Sequence, residues 1–430
     1  MSKFTKSQMK KNIIYAALQI IVSGISLFVL YKILLIEIGI ELIGIWSIVM
    51  AFSAFLRTGD FGFAGSIVKF VSENVTKGKV EKVNDIVKTS ITSVSVLLGF
   101  LLVIFYLSIP FFLPHFISEK YITQALDLLP YSIISVWFAI LSTLTIFVFD
   151  GLNRVDIRSS FLLIFNLILV GLSIIFVYKY GFIGLGYAQV LHAFLQLIIA
   201  WFLVRKHLKI NSILPFTWNY KLFKEMLSYS VNLQMSSLMS IMLEPVSKLL
   251  LGYFGTMSSV GYFEMANRLV MQIRNVVINA NQAVVPMISK AHTENESLKK
   301  TYSITLKILF LVSLCFYSIT AILTSFISEL WIGHYEKDFV YFTYIILFSL
   351  AINTISGAAY FTNMATGDVK YNTISQIIIA VVNVVLGIIL GYMYKDYGIT
   401  LAYGISITIG SLWVIYNFRS RLITKENYVK

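Results

Sequence analysis

Long apolar segments separated by short polar stretches fill most of this sequence. A helix that crosses a bilayer needs about 20 mostly apolar residues, and twelve segments satisfy that requirement. They predict helices at residues 12–36, 42–70, 86–109, 128–149, 160–178, 183–204, 226–252, 258–288, 301–325, 339–362, 373–393 and 398–418. The second and eighth segments are long and contain charges, so we expect each to be a tilted or bent helix that lines a cavity.

The composition indicates an all-α polytopic membrane protein. Hydrophobic residues make up 58% of the 430 positions and charged residues only 13%, whereas charged residues make up about a quarter of a soluble domain. The single cysteine, Cys315, lies in an apolar run and provides neither a disulfide framework nor a thiolate metal cluster. The sequence contains no Walker loop, G-x-S-x-G elbow or HExxH pair, so we predict no catalytic residue, no metal and no cofactor.

The basic residues are distributed unevenly between the two sides of the predicted bundle. Most Lys and Arg residues lie in the N-terminus, in the connections after even-numbered helices and in the C-terminal tail. The opposite connections contain only Lys120, Lys179, Lys337 and Lys395. The positive-inside rule therefore predicts that both termini are cytoplasmic. The same distribution accounts for the net charge of +13 without a nucleic-acid partner.

The longest inner connection, residues 205–225, lies at the middle of the chain. We expect it to join two lobes of six helices each. The predicted domains are an N-terminal lobe at 1–208, a cytoplasmic interlobe linker at 209–225 and a C-terminal lobe at 226–430.

Weak internal similarity indicates that the two lobes are repeats. A segment beginning at Leu42 resembles a later one beginning at Ser259, and the same alignment places Arg57 on Arg274. The Tyr-Gly pair at 180–181 recurs at 397–398. Because six is an even number of helices, the two copies would form a parallel repeat.

Charged residues are concentrated in the two opening helices of each lobe. An ionised group at the bilayer centre costs about 2.5–3.5 kcal/mol on insertion scales, so such residues usually face a protein interior or a water-filled path. The candidates for a cationic substrate-binding cavity are Lys32, Arg57, Lys248, Arg268 and Arg274, and the acids beside them are Asp60, Glu244 and Glu264. Five positive charges against three negative ones leave a net charge of +2, which suits a doubly charged anion. The planar fork of arginine suits phosphate oxygens in particular.

Two of these groups have a simpler interpretation that the sequence leaves open. Arg57 and Asp60 are spaced i and i+3, so on one helix they could neutralise each other instead of binding an anion. Glu244 and Lys248, spaced i and i+4, could pair in the same way. Pro245 removes a backbone donor and is expected to bend the seventh helix, as a gate or as a structural kink.

Several runs of residues resemble one known family. They are the basic lead into residues 12–15, the runs 60–65 and 68–73, and the inner turns at 153–158 and 366–370. In these runs the chain resembles the polysaccharide transport flippases, including the Wzx-type O-antigen flippases, of the multidrug/oligosaccharidyl-lipid/polysaccharide exporter superfamily. The resemblance covers essentially the whole chain.

The resemblance implies a function in the bacterial cytoplasmic (inner) membrane. Such a flippase moves undecaprenyl-pyrophosphate-linked oligosaccharide from the inner to the outer leaflet by alternating access through a cationic cavity. The implied partners are the lipid-linked oligosaccharide, membrane lipids, a polysaccharide polymerase and a chain-length regulator. We further expect H⁺ or Na⁺ coupling through Asp60, Glu244 or Glu264, because an acid in a partly dry cavity can have a raised pKa.

Three other functions remain as alternatives. A multidrug or cation antiporter of the same superfamily would be expected to have a more acidic cavity. A lipid II flippase would typically contain two additional helices. A membrane polymerase or ligase that uses the same lipid-linked sugar would be expected to present a large outer loop, whereas the predicted outer connections are short.

Overall fold

The computed structural model describes residues 6–57, 62–210, 212–282 and 298–429, and within these residues the chain is almost entirely helical. The helices are α1 Lys6–Glu37, α2 Ile40–Arg57, α3 Phe63–Thr76, α4 Val80–Phe112, α5 Ile122–Ile146, α6 Val148–Gly151, α7 Val155–Tyr180, α8 Phe182–Leu208, α9 Tyr220–Phe254, α10 Met257–Gln282, α11 Leu298–Ile332, α12 Lys337–Thr366 and α13 Val369–Val429. Each of the twelve predicted segments overlaps one or two of these helices.

Eight helical stretches of the described residues are long and apolar enough to cross a membrane. The longest, Val369–Arg421, contains the last two predicted spans, which are divided by the non-helical backbone of Lys395. Large apolar side chains such as Phe111 and Ile322 are more than three-quarters exposed, as lipid-facing residues should be. The predicted fold class, an all-α polytopic membrane protein, is confirmed.

The predicted second helix at 42–70 is wrong as a single element. The chain forms α2, which ends at Arg57, and then α3, which starts at Phe63. Gly62 lies between them with φ 76°, a left-handed conformation that favours glycine because it has no Cβ. The predicted pairing of Arg57 with Asp60 therefore stays a prediction. Asp60 and the side chain of Arg57 lie outside the described residues.

The chain divides into two compact units, residues 1–241 (unit 1) and residues 242–430 (unit 2). This division falls inside α9 and not at the predicted linker, so the boundaries of the predicted lobes stay predictions. Residues 212–219 are not helical. The start of α9 packs within unit 1, where the Ser66 and Ser230 hydroxyls lie 2.5 Å apart.

Within unit 1, α1 packs against α7, α5 packs against α8 and α2, and α3 packs against α4 and α6. Within unit 2, α12 is the central helix because it contacts α10, α11 and α13. The side chains of α10 therefore lie beside the central helix of unit 2.

The backbone of each unit repeats the same features. The connection between α1 and α2 runs from Glu37 to Ile40. It matches the connection between α9 and α10, which runs from Phe254 to Met257. This match agrees with the alignment of Arg57 with Arg274 that the sequence indicates. The start of α7 recurs as the start of α13, and between these points the second copy is slightly shorter than the first.

Because the second copy is shorter, one pair of segments that the sequence alignment matched is wrong: the Tyr-Gly pairs at 180–181 and 397–398. Gly181 has φ 60° and ψ −141°, and the matching backbone belongs to Lys395, with φ 53° and ψ −131°. A Cβ on Gly184 would meet the Phe176 carbonyl, and one on Gly398 would meet the Leu390 carbonyl. Gly181 is therefore equivalent to Lys395 and not to Gly398, because the turn geometry and not the Tyr-Gly pair is repeated.

Candidate functional site

Five of the eight predicted charges come together in the interior of unit 2. They lie on the second part of α9 and along α10: Glu244, Lys248, Glu264, Arg268 and Arg274. Of the three predicted in the N-terminal lobe, Lys32 lies half-buried on α1, and Asp60 and the Arg57 side chain lie outside the described residues. The site that can be described is therefore that of unit 2.

Four of these side chains form a cluster that we call the ion tetrad: Glu244, Lys248, Glu264 and Arg268. Lys248 Nζ lies 2.5 Å from Glu244 Oε1 and also pairs with Glu264. Arg268 Nε lies 2.7 Å from Glu264 Oε1, and Arg268 Nη2 lies 3.7 Å from Glu244 Oε1. Each cation thus contacts both carboxylates.

Burial differs across the ion tetrad. The side chains of Lys248 and Glu264 are 4% and 3% exposed, whereas that of Arg268 is 39% exposed. A buried ion pair gains little net stability, but losing one partner leaves an uncompensated charge. Because Lys248 on α9 pairs with Glu264 on α10, the tetrad links these two helices. Glu244 and Lys248 do form a pair, as the simpler interpretation of the sequence suggested.

Arg274 lies further along α10 in a different environment. Its Nη2 donates a 2.9 Å hydrogen bond to Asn353 Oδ1 on α12, and the Asn353 amide nitrogen donates to Ser411 Oγ at 2.9 Å. The nearby ionisable groups are the phenols of Tyr317 and Tyr403, together with that of Tyr360. Arg274 Nε is buried and has no hydrogen-bond partner in the described part of the chain.

These positions change the expected charge balance. Two cations face two anions in the ion tetrad, so the tetrad is neutral. Among the described residues, Arg274 forms no ion pair. These five charged residues of unit 2 therefore have a net charge of +1, and it is carried by Arg274.

Uncharged polar residues complete the site, and the sequence reasoning missed them. Tyr403, fully buried on α13, donates a hydrogen bond to Asn267 Oδ1 at 3.3 Å. Asn267 lies between Glu264 and Arg268 on α10, and Asn353 connects Arg274 to α13. The prediction used charges only, although buried Asn and Tyr within apolar helices are the signal that could have found these partners.

Pro245 lies buried inside α9, which continues through it. Next to it, Ser247 accepts a 3.0 Å hydrogen bond from Asn383 on α13. A gating role for Pro245 stays a prediction. Within the described residues, no group of three or more His, Cys, Asp and Glu side chains could hold a metal ion.

Residues 9–292 match the sequence model of a family described as "Polysaccharide biosynthesis protein". No curated protein matches the sequence. Solved structures of other proteins share the fold at low sequence identity, and three of them serve as examples.

The first is an inward-facing multidrug resistance MATE family transporter of the MOP superfamily, with 13% identity, TM-score 0.80, and coverage of 96% of this chain and 99% of the other. The second is the lipid II flippase MurJ in an inward closed conformation, with 19% identity, TM-score 0.76 and coverage of 95% and 87%. The third is a MOP superfamily transporter from Pyrococcus furiosus, with 14% identity, TM-score 0.63 and coverage of 94% and 95%.

Proposed function

Because the chain belongs to the family of polysaccharide biosynthesis proteins, we propose that it is a flippase for undecaprenyl-pyrophosphate-linked oligosaccharide. It moves surface-polysaccharide repeat units, such as those of O-antigen, from the inner to the outer leaflet of the bacterial cytoplasmic membrane by alternating access. It does so as a carrier and not as an enzyme. The observation that carries the proposal is Arg274, a cation that forms no ion pair among the described residues.

The chemistry of the head group favours this assignment. A sugar pyrophosphate is large, hydrated and anionic, and it must cross about 30 Å of hydrocarbon, so it needs a polar path. The guanidinium of Arg274 can offer parallel donors to two phosphate oxygens. Asn353 holds that side chain in place. The prenyl tail can remain in lipid.

The same proposal gives roles to the other candidate residues. Arg57, at the position that matches Arg274 in the N-terminal lobe, is a second phosphate-binding group, and Lys32 adds to the cationic surface. Lys248 and Arg268 add no net charge to it, because Glu244 and Glu264 neutralise them in the ion tetrad. Release of Glu244 or Glu264 from Lys248 would allow one of them to bind H⁺ or Na⁺ during transport, and Asp60 is the corresponding acid of the first lobe. An inside-negative membrane potential assists outward movement of an anion by about 2.3 kcal/mol per charge per 100 mV.

Surface-polysaccharide synthesis in a strain without the gene tests the function. We expect lipid-linked oligosaccharide to accumulate in the inner leaflet and export to return when the wild-type gene is restored. Arg274→Ala should leave protein levels normal and reduce export about tenfold or more, because it removes a charge-assisted phosphate contact. Arg274→Lys should restore export partly, since the charge remains and the fork is lost.

The matched control is Arg419→Ala, which removes an exposed arginine near the end of α13 and should have no effect on export. If Arg274→Ala exports normally while the deletion strain is defective, the phosphate-binding role of Arg274 is wrong. If the deletion strain exports normally without accumulation, the flippase function itself is wrong.

A further inference from the structure

A cavity of about 400 Å³ lies in unit 1 between the end of α1, the first turn of α2 and the start of α5 with the two residues before it. Its polar lining comprises Glu41, Lys120, Tyr121 and Gln124. The volume is at the lower end of the range of about 300–1,000 Å³ for small-molecule sites. None of these side chains belongs to the site described in unit 2.

The polar groups of the cavity are arranged around one aromatic ring. The Tyr121 hydroxyl donates to the Glu41 carboxylate, and Lys120 Nζ donates to the Tyr121 hydroxyl at 3.0 Å. Lys120 and Glu41 are exposed at the mouth, whereas Tyr121 is buried. One cation and one anion make the cavity electrically neutral, so it is not suited to a phosphate group.

Gln124 is the unsatisfied member of this set. Its Oε1 atom is buried and has no hydrogen-bond partner among the described residues. A buried acceptor without a partner costs about 1–3 kcal/mol. The first residues of α2, Ile40, Glu41 and Leu42, also line the cavity, and the first N–H groups of a helix have no partner within their own helix. The cavity thus presents both donors and acceptors to a ligand.

The corresponding turn of unit 2 contains polar side chains that are hydrogen-bonded to one another. Between α9 and α10, Ser259 Oγ donates a 2.5 Å hydrogen bond to Asp396 and lies 2.9 Å from Thr256 Oγ1. A Cβ on Gly255 would lie 3.0 Å from Asp396 Cβ. When the starts of α7 and α13 are aligned, the equivalent of Asp396 is Phe182, which has no polar group. The repeat therefore has a polar side chain at this turn in one copy and an open cavity in the other.

We infer that this cavity, the α1–α2 sugar site, binds one neutral sugar ring of the lipid-linked oligosaccharide. Sugar hydroxyls both donate and accept: they can donate to Glu41 and to Gln124 Oε1, and accept from Lys120 and from the first N–H groups of α2. The Tyr121 hydroxyl holds Glu41 and Lys120 in place for these contacts. The inference rests on the proposed function and on the proposed outer location of both connections, which would place the site where the glycan leaves the carrier.

Saturation-transfer NMR on the detergent-purified full chain tests the site. The probes are glucose, galactose, mannose, rhamnose, N-acetylglucosamine and N-acetylgalactosamine. We expect saturable binding of at least one probe by the wild type and about tenfold weaker binding by Gln124→Leu, the equivalent of about 1.4 kcal/mol. Inorganic phosphate should not compete.

The matched control is Gln189→Leu. Gln189 Oε1 is also buried in unit 1 without a hydrogen-bond partner among the described residues, but Gln189 does not line the cavity. The midpoint temperature of thermal unfolding of Gln124→Leu should equal or exceed that of the wild type, because an unsatisfied polar group is removed. A second variant, Glu41→Gln, should weaken binding while keeping the shape of the cavity.

Absence of saturable binding of every probe, competition by phosphate, or equal loss of binding in Gln124→Leu and Gln189→Leu would overturn the sugar site. Export of lipid-linked oligosaccharide should be several-fold lower in Gln124→Leu and normal in Gln189→Leu. Normal export in both variants would also overturn it. Failure of the flippase function would instead appear as normal export in the deletion strain.

Discussion

Lys248 is the most enclosed cation among the described ion pairs, and it contacts two carboxylates at once. Arg274, on the neighbouring helix, contacts an amide and no carboxylate among the described residues. The two side chains have the same charge and both lie inside unit 2, but their partners differ. This difference separates a structural role from a binding role at the level of single residues.

Lys248→Met is expected to destabilise the protein by about 3–5 kcal/mol, because it leaves two carboxylates, Glu244 and Glu264, with only the Arg268 cation to compensate them. The double variant Lys248→Met with Glu264→Gln should recover much of that loss, since both members of the pair are then neutral. Membrane protein level and thermal unfolding in detergent measure the effect. Equal stability of the two variants would contradict the structural role of the ion tetrad.

Arg57 requires a different test, because its side chain lies outside the described residues. Arg57→Ala should reduce export at normal protein level if Arg57 binds phosphate. The double variant Arg57→Ala with Asp60→Asn distinguishes the two interpretations. Normal export by the double variant would show that Arg57 only neutralises Asp60, since removal of both partners of a pair is often tolerated.

At the scale of elements, the closest helix approaches occur at two equivalent glycines. Gly184 lies near the start of α8, and Gly398 lies at the equivalent position of α13, after the break at Lys395. At each of them an added Cβ would overlap a backbone carbonyl oxygen. A backbone oxygen cannot move aside as a flexible side chain can.

Gly184→Ala and Gly398→Ala should each destabilise the protein by about 1–3 kcal/mol through overpacking. The control is Gly171→Ala on α7, where an added Cβ meets nothing within 4 Å, and alanine there should be neutral or slightly stabilising. Thermal unfolding of the three purified variants measures the difference. A loss of stability in only one of the variants Gly184→Ala and Gly398→Ala would contradict the equivalence of the two turns.

At the scale of the whole molecule, the two repeats share a fold but not an interior. In the alignment that matches Arg57 with Arg274, the members of the ion tetrad correspond to apolar or small residues of unit 1. These are Leu27, Tyr31, Ser47 and Ala51. Among the described residues, the polar groups of the two units therefore differ: unit 2 contains the ion tetrad, and unit 1 contains the proposed sugar site.

Tags inserted into the connections test the proposed topology. Tags at Gly78, Phe216 and Lys430 should report the cytoplasm, and tags at Ser118 and Glu336 should report the outside, because Lys and Arg are concentrated on the first set of connections. The contacts between Tyr121 and Glu41 and between Tyr397 and Asp338 join connections assigned to the same side. Any tag that reports the opposite side would contradict the arrangement.

The sequence by itself determined the membrane fold, the twelve segments and the family, because segment length and apolar content are local properties of the chain. It also located Glu244, Lys248, Glu264, Arg268 and Arg274 as charges inside helices, since a charge in an apolar run is visible without any contact. The break at Gly62 was missed because hydropathy averages over a single left-handed residue.

Only the tertiary structure decided which charges pair. Glu244 and Lys248 are one turn apart, but the contact of Lys248 with Glu264 joins two helices, and that of Arg274 with Asn353 joins residues far apart in the sequence. Spacing along one helix cannot predict such contacts, because they depend on how α9, α10 and α12 pack. For the same reason, the cavity at Gln124 is formed by three segments whose proximity no local pattern indicates.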